Sequence, residues 1–187
     1  ILTYVSRGFE EYRGFPQAME TISQLQKRRP GLHALIVGSD VIAYGASRSD
    51  GRTWREWALQ ELKLDTKRTH WMGALQEDEY QKVLLISDVH LYLTVPFVLS
   101  WSLLEAMAAG CSIVGSDTPP VQEVLQSGCN GLLVDFFNPH DQVNACETLL
   151  DDQAMSERFS KAARISSQAF SHDKGLAGWR AIIESCG

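Results

Sequence analysis

Two arginines, each followed by a glycine, stand in the run Ser6-Arg7-Gly8-Phe9-Glu10-Glu11-Tyr12-Arg13-Gly14. A guanidinium offers a planar fork of N–H donors that matches phosphate oxygens, and a neighbouring glycine lets a ligand approach the backbone. The pattern therefore points to an anion held on a loop. The same residues admit a plainer reading, in which Glu10 and Glu11 pair with the arginines at the surface, since such ion pairs are common and weak. A second constellation runs from Pro96 to Gly110, where Ser100 and Ser102 are both suitable N-caps and Gly110 suits a helix end. Free backbone N–H groups and the positive end of the helix dipole make such a start an anion site. Glu105 lies about one turn further on, within reach of hydroxyl groups on whatever is held there. Ser102-Leu103-Leu104-Glu105 is equally an S-x-x-E capping box, in which Glu105 would only satisfy a backbone donor.

A third run, Gly115–Val124, places Pro120 in the first turn of a short helix with Thr118 or Asp117 as its cap. Asp117 turned toward a cleft is the alternative. Asn130-Gly131 is a turn before the last strand. The five histidines (His33, His70, His90, His140, His172) never recur at i, i+3 or i+4 spacing, so they form no ligand pair on one helix face. D-x-D, H-E-x-x-H and G-x-S-x-G are absent, as are both glycine-rich phosphate fingerprints. Metal-assisted chemistry and the simplest hydrolase have no foothold in these residues.

The elements that must carry these groups follow from hydrophobic period. Short apolar runs at Leu2–Val5, Ala34–Val37, Thr69–Met72, Val89–Leu93, Ser112–Val114 and Gly131–Val134 read as strands. Between them, Phe15–Arg28, Thr53–Leu62, Glu77–Ile86, Trp101–Ala109, Pro120–Gln126 and Gln142–Leu150 read as helices. In the first of these, Phe15, Ala18, Met19, Ile22 and Leu25 fall on one face. The alternation predicts an α/β fold, a doubly wound parallel sheet of about six strands with helices on both faces. The tail from Asp152 to Cys186 reads as two more helices, broken near Phe170–His172. Gly38–Arg52 is long for a strand-to-helix link and reads either as a functional loop or as a flexible surface loop.

The chain has 187 residues, 17 basic against 23 acidic, for a formal charge of −6. That length suits a single domain, with the helical tail over residues 152–187. An acidic balance gives no field for nucleic acid, and no apolar run is long enough to span a membrane. Cys111, Cys129, Cys146 and Cys186 form no C-x-x-C pair, which suits reduced thiols in the cytoplasm. The opening Ile-Leu-Thr-Tyr-Val reads as a buried strand from its first residue, so a domain cut from a longer polypeptide is expected.

Taken together, the chain resembles the C-terminal, donor-binding domain of retaining glycosyltransferases of family 4, which have the GT-B arrangement of two Rossmann-like domains. The resemblance rests on Arg7-Gly8 and Arg13-Gly14, Leu35–Gly38, Gly73, Leu103–Gly110, Ile113–Glu123 and Gly128–Val134. It implies transfer of a sugar from a nucleoside-diphosphate sugar, with retention and without a metal or other cofactor. Arg7 and Arg13, with Gly8 and Gly14 beside them, would hold the diphosphate and stabilise it as it leaves. Glu105 would bind the ribose, Ser102 and Leu103 would meet the phosphates through their main chain, and Gly73 and Ala74 would approach the base. A glycan or lipid-linked acceptor would sit in an N-terminal domain that this chain lacks, with any attachment to the inner membrane face made there. The sequence departs from the pattern at Phe97, where the family has a glutamate contacting the donor sugar, and at Val98 and Ser100, where it has glycines. Phenylalanine accepts no hydrogen bond, so a non-catalytic nucleotide-binding or interaction module of the same fold is the alternative.

Overall fold

The six apolar runs become six strands, β1 (Leu2–Gly8), β2 (Ala34–Ser39), β3 (Thr69–Gly73), β4 (Val89–Tyr92), β5 (Ile113–Ser116) and β6 (Leu132–Val134). The structure is a computed structural model describing residues 1–185; Cys186 and Gly187, the end of the expected tail, lie outside the described residues. All neighbouring strands pair in parallel, in the order β3-β2-β1-β4-β5-β6. Parallel strands need crossovers, and crossovers are right-handed, so reversing direction at β1 forces the helices onto opposite faces.

On one face lie α1 (Phe15–Arg28), α2 (Trp54–Glu61) and α6 (Pro139–Asp151), over a core that includes Phe15, Met19, Ile22, Ile36 and Leu91. On the other lie α3 (Glu77–Leu85), α4 (Trp101–Ala109) and α5 (Pro119–Gln122), over Leu84, Leu103, Met107, Ile113 and Val121. The helix α7 (Gln153–Ser167) joins the two, with Phe159 in the first core and Ala163 in the second. The five apolar positions that predicted α1 are all fully buried. A 3₁₀ turn at Gln168–Phe170 separates α7 from α8 (His172–Ser185), close to the expected break. Leu176, Trp179, Ile182 and Ile183 of α8 are exposed and leave an apolar stripe uncovered by the described residues.

Three local expectations are corrected. β1 continues past Val5 to Gly8, so Arg7 belongs to the strand and not to the following loop. α5 starts at Pro119, with Pro120 in its first turn and Thr118 at the N-cap as expected, but the Thr118 side chain makes no capping bond and the helix ends at Gln122, short of the expected Gln126. Pro119 and Pro120 have no N–H to offer, the Val121 N–H goes to the Thr118 carbonyl, and Asp117 accepts from the Gln122 amide at 2.6 Å. α6 begins at Pro139, three residues before the predicted start, because the Asn138 side chain caps it through the Asp141 N–H.

His90 is a sensor of how tightly the sheet is covered. It is fully buried in β4, its Nδ1 on Thr3 Oγ1 at 2.9 Å and its Nε2 without a hydrogen-bond partner among the described residues. Burial pushes its pKa down to about 4 from an ordinary 6.5. The unfolded chain therefore binds the proton first, and stability complete above pH 6.5 falls as the pH drops toward 4, by about 3 kcal/mol in all. Urea melts at about pH 7 and about pH 4.5 should show a smaller acid loss for His90→Leu than for the wild type.

Candidate functional site

The reversal of strand order at β1 and β4 opens a crevice at their carboxyl ends, the usual ligand position in open α/β sheets. The end of β1 is bulged: Val5 pairs with Val37 and Gly8 with Ser39, so Ser6 and Arg7 stand against Gly38 alone. Gly38 has φ +143°, and a side chain there would run into the Ser6 carbonyl. The bulge keeps Ser6 buried and turns Arg7 outward, exposed and with no hydrogen bond or ion pair among the described residues.

Arg13 is placed differently. It ends a 3₁₀ turn (Glu11–Arg13), and its carbonyl accepts from the Tyr4 hydroxyl at 2.8 Å. Its Nη1 donates to the Val98 carbonyl at 3.0 Å and to Thr94 Oγ1 at 3.3 Å. The Val95 N–H donates to the Tyr12 carbonyl at 3.0 Å, so the loops after β1 and β4 are stitched together across the crevice. Around Arg13 stand aromatic rings, with its guanidinium carbon 5.2 Å from the Phe97 centroid and 5.6 Å from that of Tyr44. The two arginines of the sequence motif therefore flank one loop, Arg7 free and Arg13 held. Neither pairs with Glu10 or Glu11 among the described residues, which removes the surface ion-pair reading.

The start of α4 lies beside this loop. Ser100 is its cap: Ser100 Oγ accepts from the Ser102 N–H at 3.3 Å and from Ser102 Oγ at 2.9 Å, while the Ser100 carbonyl accepts from the Leu103 N–H at 3.2 Å. The Ser100 N–H donates to the Tyr92 hydroxyl at 2.9 Å, which ties α4 to the end of β4. The Ser102-to-Glu105 capping box is not formed, because Ser100 already holds the first turn. Glu105 instead accepts from the Tyr80 hydroxyl of α3 at 2.9 Å. Burial, followed by the Glu105 charge, holds the Tyr80 phenol protonated, far above its ordinary range. Glu105 also lines a cleft of about 830 Å³ with Trp101, Leu104, Ala108 and the 167–175 segment, a cleft that neither arginine borders.

Gly73 ends β3 in a left-handed conformation (φ +69°) with open space around it, and Ala74 follows, exposed. The segment leads into α3, whose fourth residue, Tyr80, bonds Glu105. Gly8 and Gly14 are pressed against protein. A side chain on Gly8 would strike the Val41 carbonyl, and one on Gly14 would fall on Leu93.

Sequence reasoning missed the anchor of this region. Glu10 is fully buried, and its Oε2 accepts from the N–H groups of Ala43, Tyr44 and Gly45 at 3.1, 2.7 and 2.8 Å. A second clasp, Asp50 between Arg48 and Arg52, holds the far side of the same loop, and the two guanidiniums keep the Asp50 carboxyl far below its usual range. The 38–52 segment is thus a braced loop and not a loose one. Its length and turn-forming residues marked it, but no local signal named Glu10 as its anchor.

The family model for glycosyl transferases group 1 matches residues 1–166. The chain belongs to that family. Among curated proteins, spore coat protein SA of Bacillus subtilis (strain 168) is 29% identical over 138 residues, which is 67% of this chain and 35% of that protein. Among solved structures, HepE of Anabaena, determined in complex with UDP-glucose, superposes with a TM-score of 0.83 at 17% identity over 98% of this chain and 48% of that one. The C-terminal domain of the group 1 protein LpcC from Francisella tularensis gives 0.76 at 17% identity over 90% of this chain and 84% of that domain. These structures share the fold, that of one half of a GT-B glycosyltransferase. The chain spans about a third of the spore coat protein and about half of HepE.

For this group 1 chain, the glycine contacts make a prediction about stability. Gly14 combines a left-handed φ of +65° with no room for a side chain. Gly14→Ala should cost about 2–4 kcal/mol in urea unfolding, from strain and displacement of Leu93. A stability unchanged within error would mean that the position serves only a ligand.

Proposed function

We propose that this chain is the donor-binding half of a glycosyltransferase, moving a sugar from a nucleoside-diphosphate sugar to a glycan or lipid-linked acceptor with retention of configuration. The single observation that carries the reading is the convergence of Arg13 with the Ser100-capped start of α4 at the β1–β4 crevice. In the reaction the bond from C1 of the sugar to the diphosphate oxygen breaks, the acceptor oxygen bonds to C1, and the acceptor proton is lost. The departing diphosphate carries the charge. Arg13 meets that charge as a preset cation beside the positive end of the α4 dipole, and Arg7 closes on it as a mobile one. On this reading no metal is required.

The remaining assignments follow the same line. Glu105, set by the Tyr80 hydroxyl, accepts from the ribose hydroxyls with its free oxygen. Gly73 and Ala74, open to solvent, lie against the base. The acceptor is supplied by a further domain of a longer polypeptide, which the partial coverage of HepE and the spore coat protein supports. One observation favours a second reading, a nucleotide-binding module without turnover: Phe97 packs beside Arg13 where a carboxylate would contact the sugar. Transfer or donor hydrolysis by the full-length protein separates the two readings.

Calorimetry with UDP, GDP and ADP tests the phosphate assignment directly. Arg7→Ala and Arg13→Ala should each weaken the diphosphate that binds by about 10- to 150-fold, the worth of a charge-assisted hydrogen bond of about 1.5–3 kcal/mol. Unchanged affinity in both variants would remove the arginines from the site.

A further inference from the structure

We infer that Tyr44 and Phe97 are positioning residues for Arg13: their rings form a corner that holds its guanidinium ready for a diphosphate without neutralising it. The ligand is that of the donor-binding reading above, on which this rests, and both residues act on it through the arginine.

Arg13 is half-buried. Its guanidinium carbon lies 5.2 Å from the Phe97 centroid and 5.6 Å from the Tyr44 centroid, within the reach of a cation–π contact. The two rings stand 5.3 Å apart and are tilted by 57°, so they meet as two sides of a corner and not as one flat surface. Tyr12 stands beside Phe97, with 6.2 Å between centroids. Nη1 donates to the Val98 carbonyl and to Thr94 Oγ1, whereas Nε and Nη2 carry no hydrogen bond among the described residues. That open edge presents two parallel N–H groups, the fork that takes two oxygens of one phosphate. A carbonyl, a hydroxyl and two rings hold the arginine. All four are neutral, so its charge is restrained and not spent.

The rings reach Arg13 from two separate loops. Tyr44 lies after β2, where Glu10 gathers the N–H groups of residues 43–45 onto one carboxylate oxygen. Phe97 lies after β4, next to the Val98 carbonyl that Arg13 bonds. A free arginine side chain loses rotamer freedom when it binds, and one already held in a corner has lost that freedom beforehand. The glutamate that the sequence resemblance expects at position 97 would put an anion beside this guanidinium and compete with phosphate for it. Phe97 orients the same group without competing. Its presence therefore adjusts the charge offered to the diphosphate.

Side-chain NMR relaxation at Arg13 Nε in the ligand-free chain reads the positioning without any nucleotide. Arg13 should be ordered where Arg7 is mobile, Tyr44→Leu and Phe97→Leu should each loosen it, and Tyr44→Phe should leave it as it was. Calorimetry with UDP, GDP and ADP reads the consequence. Each leucine variant should weaken the diphosphate that binds by about two- to five-fold, the worth of one cation–π contact, and Tyr44→Phe should not. Phe97→Glu should weaken it further than Phe97→Leu does. The role is overturned if Arg13 is as mobile as Arg7 in the wild type, or if both leucine variants leave its order or the diphosphate affinity unchanged. It is equally overturned if Tyr44→Phe loses as much as Tyr44→Leu, or if Phe97→Glu binds diphosphate more tightly than the wild type. If none of the three diphosphates binds, the donor reading falls, and the relaxation data still decide whether the rings hold Arg13.

Discussion

The point where strand order reverses governs this molecule. β1 and β4 are neighbours, yet the chain leaves β1 toward α1 on one face and leaves β4 toward α4 on the other. No connection can close the gap above them, because each right-handed crossover carries its loop away. What fills the gap is a set of cross-links between the two loops: the Val95 amide on Tyr12, Arg13 on Thr94 and Val98, and Leu93 under Gly14. The sheet creates the crevice, and these contacts fix its rim.

Charge and aromatic surface share that rim in a definite division. Arg13 is restrained by two acceptors and two rings, whereas Arg7 is carried outward on a strand bulge with no hydrogen bond or ion pair among the described residues. One guanidinium is thus preset and the other is free to follow a ligand, losing side-chain entropy only when it binds. Glu10 pairs with neither arginine among the described residues, because its Oε2 is turned to three backbone donors of the next loop. Glu105 is likewise oriented by a phenol, with no ion pair to it among the described residues.

Much of the framework was legible in the residues. The 3.6-residue spacing of Phe15, Ala18, Met19, Ile22 and Leu25 specified α1, because burial of one face is what that period encodes. The apolar strands specified a sheet covered on both sides. The bulge at Ser6–Arg7 was not legible, since it depends on Gly38 of a different strand allowing the Ser6 carbonyl close. Ser100 and Ser102 offered the same local chemistry, and only the tie from Tyr92 to the Ser100 amide settles where α4 begins. The aromatic rim was invisible for the same reason, its members standing 32 and 53 positions apart, from Tyr12 to Tyr44 and from Tyr44 to Phe97.

The position of β1 in the middle of the sheet carries a consequence for how the molecule assembles. β1, α1, β2, α2 and β3 are contiguous and can pair as they emerge, but Thr3 meets His90 across 87 positions of chain. Closing a loop of that size costs entropy that only the completed second half of the sheet recovers. The rim therefore comes into being late in folding, and a chain halted before β4 would hold Arg7 and Arg13 with nothing opposite them.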